Sequence, residues 1–206
     1  MRLQNPLSVV TPTLEAGILH VLARADASFT VPKIQGLMPD AGSLNGLRQA
    51  IARLVQQGIV LEERHGNAFV YELNREHLNA GPIIEMAQTK RRLVAGMKQL
   101  VQSWYVEPLV VTMFGSAARD EMTLDSDIDL FVVLPDDAGD VLANEDLNRF
   151  SETVSKWTGN DTRLLVYQES EITPAPVFDS IMREGIHIAG ERAWLERRLR
   201  TSKVVS

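Results

Sequence analysis

Two aspartates one residue apart, Asp127 and Asp129, stand at the start of an apolar run, and a glycine–serine pair, Gly115-Ser116, follows another; ten residues separate Ser116 from Asp127. Side chains alternate along a strand, so Asp127 and Asp129 share one face while Ile128 and Leu130 take the other, towards the core. A glycine directly after a strand lets backbone approach a ligand closely, and the N–H groups that follow can cradle phosphate. Two carboxylates on one face at the mouth of such a turn can hold Mg²⁺ against a triphosphate. Asp129 lies inside an apolar run, where an unpaired buried charge costs on the order of several kcal/mol. A bound cation removes that cost. The plainer alternative is a solvated turn carboxylate beside a strand-edge one.

The elements that position these groups are legible around them. Residues 109–114 and 128–134 are apolar and β-branched, bounded by polar loop, and read as strands buried on at least one face. A helix follows over residues 144–157, then a turn at Thr158-Gly159-Asn160 and a strand over residues 162–167, on which Asp161, Arg163, Leu165 and Tyr167 share a face. Pro174 and Pro176 open a helix with Val177, Phe178, Ile181 and Met182 apolar, closed by Arg183-Glu184-Gly185. Ile186-His187-Ile188 is a short last strand, with His187 a surface or satisfied histidine. Residues 191–200 are amphipathic, Ala193, Trp194, Leu195 and Leu199 against Arg192, Arg197, Arg198 and Arg200, and suit either docking on their own domain or a homodimer contact.

The first part of the chain has a different pattern. Thr13 opens a helix with Leu14, Ile18, Leu19, Val21 and Leu22 on one side; Thr30 and Pro32 start a second with Ile34, Leu37 and Met38. After a turn at Pro39-Asp40-Ala41-Gly42, Ser43 caps a third helix with a buried stripe of Leu44, Leu47, Ile51, Leu54 and Val55, ended by Gly58. Two β-rich runs around Arg64-His65-Gly66-Asn67 complete three helices and a hairpin, the order of a winged helix-turn-helix. In that arrangement Asn45, Arg48, Gln49, Ala52 and Arg53 face the major groove, and Arg64, His65 and Asn67 offer the wing tip to phosphate or minor groove. The alternative is a scaffold or dimerisation module with a solvated third helix. Asn79-Ala80-Gly81-Pro82 reads as the joint, and residues 83–104 as one long helix whose Lys90-Arg91-Arg92 and Lys98 lie on a solvated face.

Composition bounds the function classes. The 206 residues suit two domains, and an apolar share of 45% with 23% charged residues supports a packed core. The absence of cysteine excludes disulfides and thiolate metal sites and fits a reducing cytoplasm. Four scattered histidines lack metal-ligand spacing, and no apolar run is long enough for a signal or a membrane span, so no membrane partner is expected. The net charge of −6 is uneven: residues 1–80 hold seven basic and seven acidic side chains, so the acidity sits with the Asp pair. A basic face for nucleic acid has to be local.

The Gly-Ser, ten-residue gap and Asp-x-Asp closely resemble the signature of the minimal nucleotidyltransferases of the DNA polymerase β-like superfamily. The match takes in Ser126-Asp127-Ile128-Asp129-Leu130 and Arg119, and departs at Ala117 and Asp120. With the first part included, the chain resembles prokaryotic fusions of a winged helix-turn-helix to such a domain. The resemblance implies an α/β (α+β) chain: residues 1–78 a winged helix-turn-helix, 79–107 a linking helix, and 108–206 a nucleotidyltransferase fold with a small mixed sheet flanked by helices. It implies that Gly115, Ser116, Arg119 and Ser126 bind nucleotide and that Asp127 and Asp129 ligate Mg²⁺ or Mn²⁺. Arg119 is otherwise a surface arginine balancing Asp120 and Glu121. The superfamily's third acidic residue falls on or near Arg163, which cannot serve; Asp161 is the candidate, with a turn residue as its alternative and Glu169 at the strand's exit.

The implied activity is Mg²⁺-dependent transfer of a nucleoside monophosphate, AMP from ATP being the expected case, to an acceptor such as a protein, with DNA or a partner held by the first domain. The rival from another class is a transcriptional regulator whose second domain binds nucleotide without efficient turnover. An antitoxin-like protein that modifies a toxin follows from family habits alone.

Overall fold

The computed structural model describes residues 1–40 and 42–204. Ala41, within the turn expected at residues 39–42, lies outside the described residues. The chain divides into two compact units, Arg2–Lys90 and a second beginning at Arg91.

In the first unit, α1 (Leu14–Ala23), α2 (Val31–Leu37) and α3 (Leu44–Gln56) precede an antiparallel hairpin of β1 (Val60–His65) and β2 (Ala68–Leu73). Ser43 caps α3 by accepting the Gly46 N–H at 3.1 Å. Gly66-Asn67 turns the hairpin, with His65 opposite Ala68 and Val60 opposite Leu73. Ile18, Leu22, Ile34, Leu47 and Ile51 form the enclosed core. Leu44, expected in the buried stripe, is exposed. It is the first residue of α3, and helical side chains lean towards the N-terminus, so its side chain extends past the surface the helix covers.

The joint expected at residues 79–82 lies inside this unit. Helix α4 (Ala80–Ala87) begins there and buries Ala80 and Ala87 in the same core, with Ile83, Ile84 and Met86 packed against it. The single long helix expected over residues 83–104 is two helices, α4 and α5 (Thr89–Val101). At the break the Thr89 hydroxyl donates to the Met86 carbonyl at 2.7 Å, a local side-chain bond that competes with helix continuation.

The second unit is a four-stranded mixed sheet flanked by helices. Its strands are β3 (Val110–Phe114), β4 (Ile128–Leu134), β5 (Thr162–Gln168) and β6 (Ile186–Gly190), in the order β5-β4-β3-β6. β3 is antiparallel to both neighbours, while β4 and β5 run parallel across the long helix α7 (Asp140–Thr158). A short helix α6 (Gly115–Arg119) follows β3, α8 (Pro176–Glu184) precedes β6, and α9 (Trp194–Val204) follows it. Val110, Phe131 and Val133 bury one face against Ile172, Phe178, Ile181, Leu195 and Leu199. Phe131, Tyr167 and Phe178 meet there with ring centroids 5.6–6.0 Å apart. Val111, Met113, Leu130 and Val132, which alternate with these, are also buried, so both faces are covered. Of the two roles open to residues 191–200, docking within the unit is observed, because Leu195 and Leu199 of α9 join this core. Among the described residues, no helix is long and apolar enough to cross a membrane.

Candidate active site

The site forms where β3 ends beside the start of β4. Phe114 pairs with Asp129 in the antiparallel register, so the residue after Phe114 comes directly against the Asp129 side chain. That residue is Gly115, at φ +70°, a conformation that glycine enters without strain. A Cβ at Gly115 would stand 2.5 Å from Asp129 Oδ2. The space that any other side chain needs is taken by the carboxylate.

The segment after Gly115, expected as open loop, begins as the single turn of α6. Asp120 ends it in the left-handed region at φ 62°, and the Glu121 N–H donates to the Ser116 carbonyl at 3.0 Å. Met122 is buried and anchors the return. The Ser126 hydroxyl accepts the Thr123 N–H at 2.8 Å, and its carbonyl accepts from Asn160 Nδ2 at 2.8 Å. Ser126, expected to touch nucleotide, therefore has its hydroxyl in the turn that leads the chain into β4.

Asp127 stands one residue before β4, with Ile128 and Leu130 fully buried, as alternation requires. From the parallel neighbour β5, Arg163 lies level with Asp129, and its Nε forms an ion pair with Asp127 Oδ2 at 2.9 Å. Two carboxylates and one guanidinium thus share this face of the sheet. Burial, and next the charge of Asp127, push the Asp129 carboxyl above the usual carboxylate range; Arg163 and Arg119 offset only part of the rise. The pair is short of positive charge.

Arg119 donates to Glu121 at 2.7 Å and to Glu184 of α8 at 3.2 Å. Its expected balance with Asp120 and Glu121 is thus found for Glu121, with Glu184 as a further partner that sequence spacing did not indicate. Asp161 is exposed and engages β4 through its backbone, the carbonyl accepting the Ile128 N–H at 2.8 Å. Among the described residues, no three His, Cys, Asp or Glu side chains lie close enough to hold a metal ion. Asp161 is therefore not gathered with Asp127 and Asp129 into a three-carboxylate set. The pair itself fits Mg²⁺ or Mn²⁺: such ions are held by one or two carboxylates together with substrate phosphates and water, and Asp127 and Asp129 lie on one face beside the Gly115 turn. His187 is half-buried opposite Thr112, and burial, then Lys98 and Arg192, lower its pKa below the usual imidazole range.

On the first unit Asn45, Arg48, Gln49, Ala52 and Arg53 are all exposed along α3, as are Arg64, His65 and Asn67 at the hairpin tip. They are not equally available. Arg53, expected to face a groove, donates through Nε and Nη2 to Glu15 Oε1 at 2.8 and 2.6 Å, and Arg64 Nε turns back to the Gly66 carbonyl at 3.1 Å. Tyr71, opposite Glu62 in the hairpin, is pushed up to about 12 by burial and by its hydrogen bond to that carboxylate.

One supporting residue left a signal that sequence reasoning passed over. Asp146 sits on α7 between Ala143, Leu147 and Phe150, in the apolar stripe itself, and is buried. Its carboxylate accepts the N–H groups of Tyr105 and Val106 at 2.6 and 3.1 Å and is paired with Arg149 at 2.9 Å, which fixes the approach to β3. A charged residue inside a buried stripe asks for partners of this kind.

A small mixed sheet thus sets an acidic pair against a glycine turn. Residues 90–186 match the model of the nucleotidyltransferase domain family, so the second unit carries a nucleotidyltransferase domain. The match begins at the division between the units. Comparison with curated proteins finds no match. Solved structures with a similar fold include a toxin–antitoxin complex with AMP-PNP (15% identity, 54% of this chain and 85% of that one, TM-score 0.40). Others are a tri-AMPylated HEPN toxin of Shewanella oneidensis in complex with an MNT antitoxin (14%, 56% and 85%, 0.38) and a candidate nucleotidyltransferase from Sulfolobus solfataricus (19%, 48% and 82%, 0.29).

Proposed function

We propose that the second unit transfers a nucleoside monophosphate, AMP from ATP in the first instance, to an acceptor, and that the first unit is a winged helix-turn-helix that brings it to DNA or to a partner. The observation that carries the transferase reading is the Asp129 carboxylate seated on the glycine turn with Asp127 on the same face. Gly115 and Ser116 hold the terminal phosphates. Asp127 and Asp129 ligate Mg²⁺ or Mn²⁺, which when bound neutralises charge on the leaving pyrophosphate. Arg119 lies close enough to act on Asp129, and steadies the phosphates from the other side of the turn.

A second reading has its own support. Among the described residues no third carboxylate joins the pair in a metal-holding set, which favours a protein that grips nucleotide and turns it over slowly. One experiment separates the two. The full chain, incubated in lysate with each α-³²P-labelled NTP and Mg²⁺, should pass label to itself or to an acceptor, and Asp127→Ala with Asp129→Ala should abolish it. Nucleotide binding without label leaves the regulator; neither binding nor label sinks both readings.

A further inference from the structure

We infer that Arg163 limits the acidic pair to a single divalent cation and itself supplies the second positive charge at the site. The inference rests on the proposed nucleotide chemistry and deepens it.

Among the described residues, Arg163 is the basic group that a neighbouring strand sets on the pair: β5 places it level with Asp129, and its Nε forms an ion pair with Asp127 Oδ2 at 2.9 Å. A site for two cations about 3.5–4 Å apart needs carboxylates enough to bridge and flank both. Here there are two, and no third acidic or histidine side chain joins them among the described residues. One oxygen of Asp127 already faces the Arg163 guanidinium in an ion pair. A second divalent ion beside Asp127 would displace Arg163 or sit against its charge.

The side chain of Arg163 is 72% exposed, so the ion pair leaves guanidinium donors open to solvent. A guanidinium is a planar fork suited to phosphate oxygens. A polyphosphate carrying one metal ion would complete the site, the ion held by the acidic pair and phosphate oxygens taken by Arg163.

Mn²⁺ bound per chain, counted by electron paramagnetic resonance in the presence of a non-hydrolysable ATP analogue, tests this. The unaltered protein should bind one Mn²⁺, Arg163→Lys should also bind one, and Arg163→Asp, which adds a carboxylate at this place, should bind two. Circular dichroism checks that the variants are folded; if Arg163→Asp is not, the unaltered protein's own count decides. Two ions on the unaltered protein, or one on a folded Arg163→Asp, overturns the inference and leaves the transferase reading standing. No bound Mn²⁺ at all overturns both.

Discussion

Gly115 holds the tightest position at the site, because two separate demands fall on one residue. Its φ of +70° disfavours a side chain, and the direction of that side chain is filled by Asp129 Oδ2. Gly115→Ala should therefore cost about 1–3 kcal/mol in stability and push the Asp129 carboxylate off the turn. Thermal unfolding should show a lower Tm, and Mn²⁺ affinity should fall at least tenfold. A variant with unchanged Tm and unchanged Mn²⁺ binding would mean that the contact does not shape the site. What could be read in the sequence here was local: Gly115 after a strand, and two aspartates on one face by alternation. What could not be read depends on register. The Arg163–Asp127 pair exists because β5 runs parallel to β4 with Arg163 beside Asp129, and Arg119 meets Glu184 because α8 packs by the end of β3. The Ser126 hydroxyl is taken up by Thr123, a turn that residue type alone does not announce.

Among the elements, α7 does more than cover the sheet. Through buried Asp146 it ties down the Tyr105 and Val106 N–H groups, and so fixes where the chain enters β3 and, at the far end of β3, where Gly115 falls. Asp146→Ala would leave two backbone donors and Arg149 without their acceptor, at a cost of about 2–3 kcal/mol. Asp146→Asn, which keeps an acceptor oxygen, should lose less. Chemical denaturation of both variants measures this; equal losses would show that volume, not hydrogen bonding, is what Asp146 supplies. The elements themselves followed from pattern where periodicity was strong. The strand expected over residues 128–134 has those bounds in the structure, and Ser43 caps α3 as expected. Pattern failed where one apolar stripe crossed a break. Ile84, Ala87, Leu93 and Met97 keep helical spacing through Gln88, and only the Thr89 hydroxyl and the packing of α4 in the first core show two helices rather than one. The division between the units falls accordingly at Lys90, not at residue 79.

Across the whole molecule, the net charge of −6 opposes general attraction to DNA, and whatever affinity the first unit has must come from the few cations free on one face. Residues 1–80 hold equal numbers of basic and acidic side chains. Of the three arginines expected to face DNA, Arg53 is committed to Glu15, and Arg64 shares its Nε with the Gly66 carbonyl. About three phosphate contacts is then an upper figure, for which affinity should fall by roughly 40-fold between 50 and 200 mM salt, far less than for a protein making twice as many or more. Arg48→Ala should weaken binding of duplex DNA at low salt at least severalfold. Arg53→Ala should leave binding nearly unchanged and cost about 0.5 kcal/mol of stability through its lost partner on α1. Fluorescence anisotropy over a salt series, run on both variants, measures each of these. If Arg48→Ala binds like the parent chain while Arg53→Ala does not, then Arg53 leaves Glu15 to meet the nucleic acid, and the face has to be redrawn around it. If neither substitution matters at any salt, the arginines of this face do not hold phosphate, and a protein partner becomes the better reading of the three helices and hairpin.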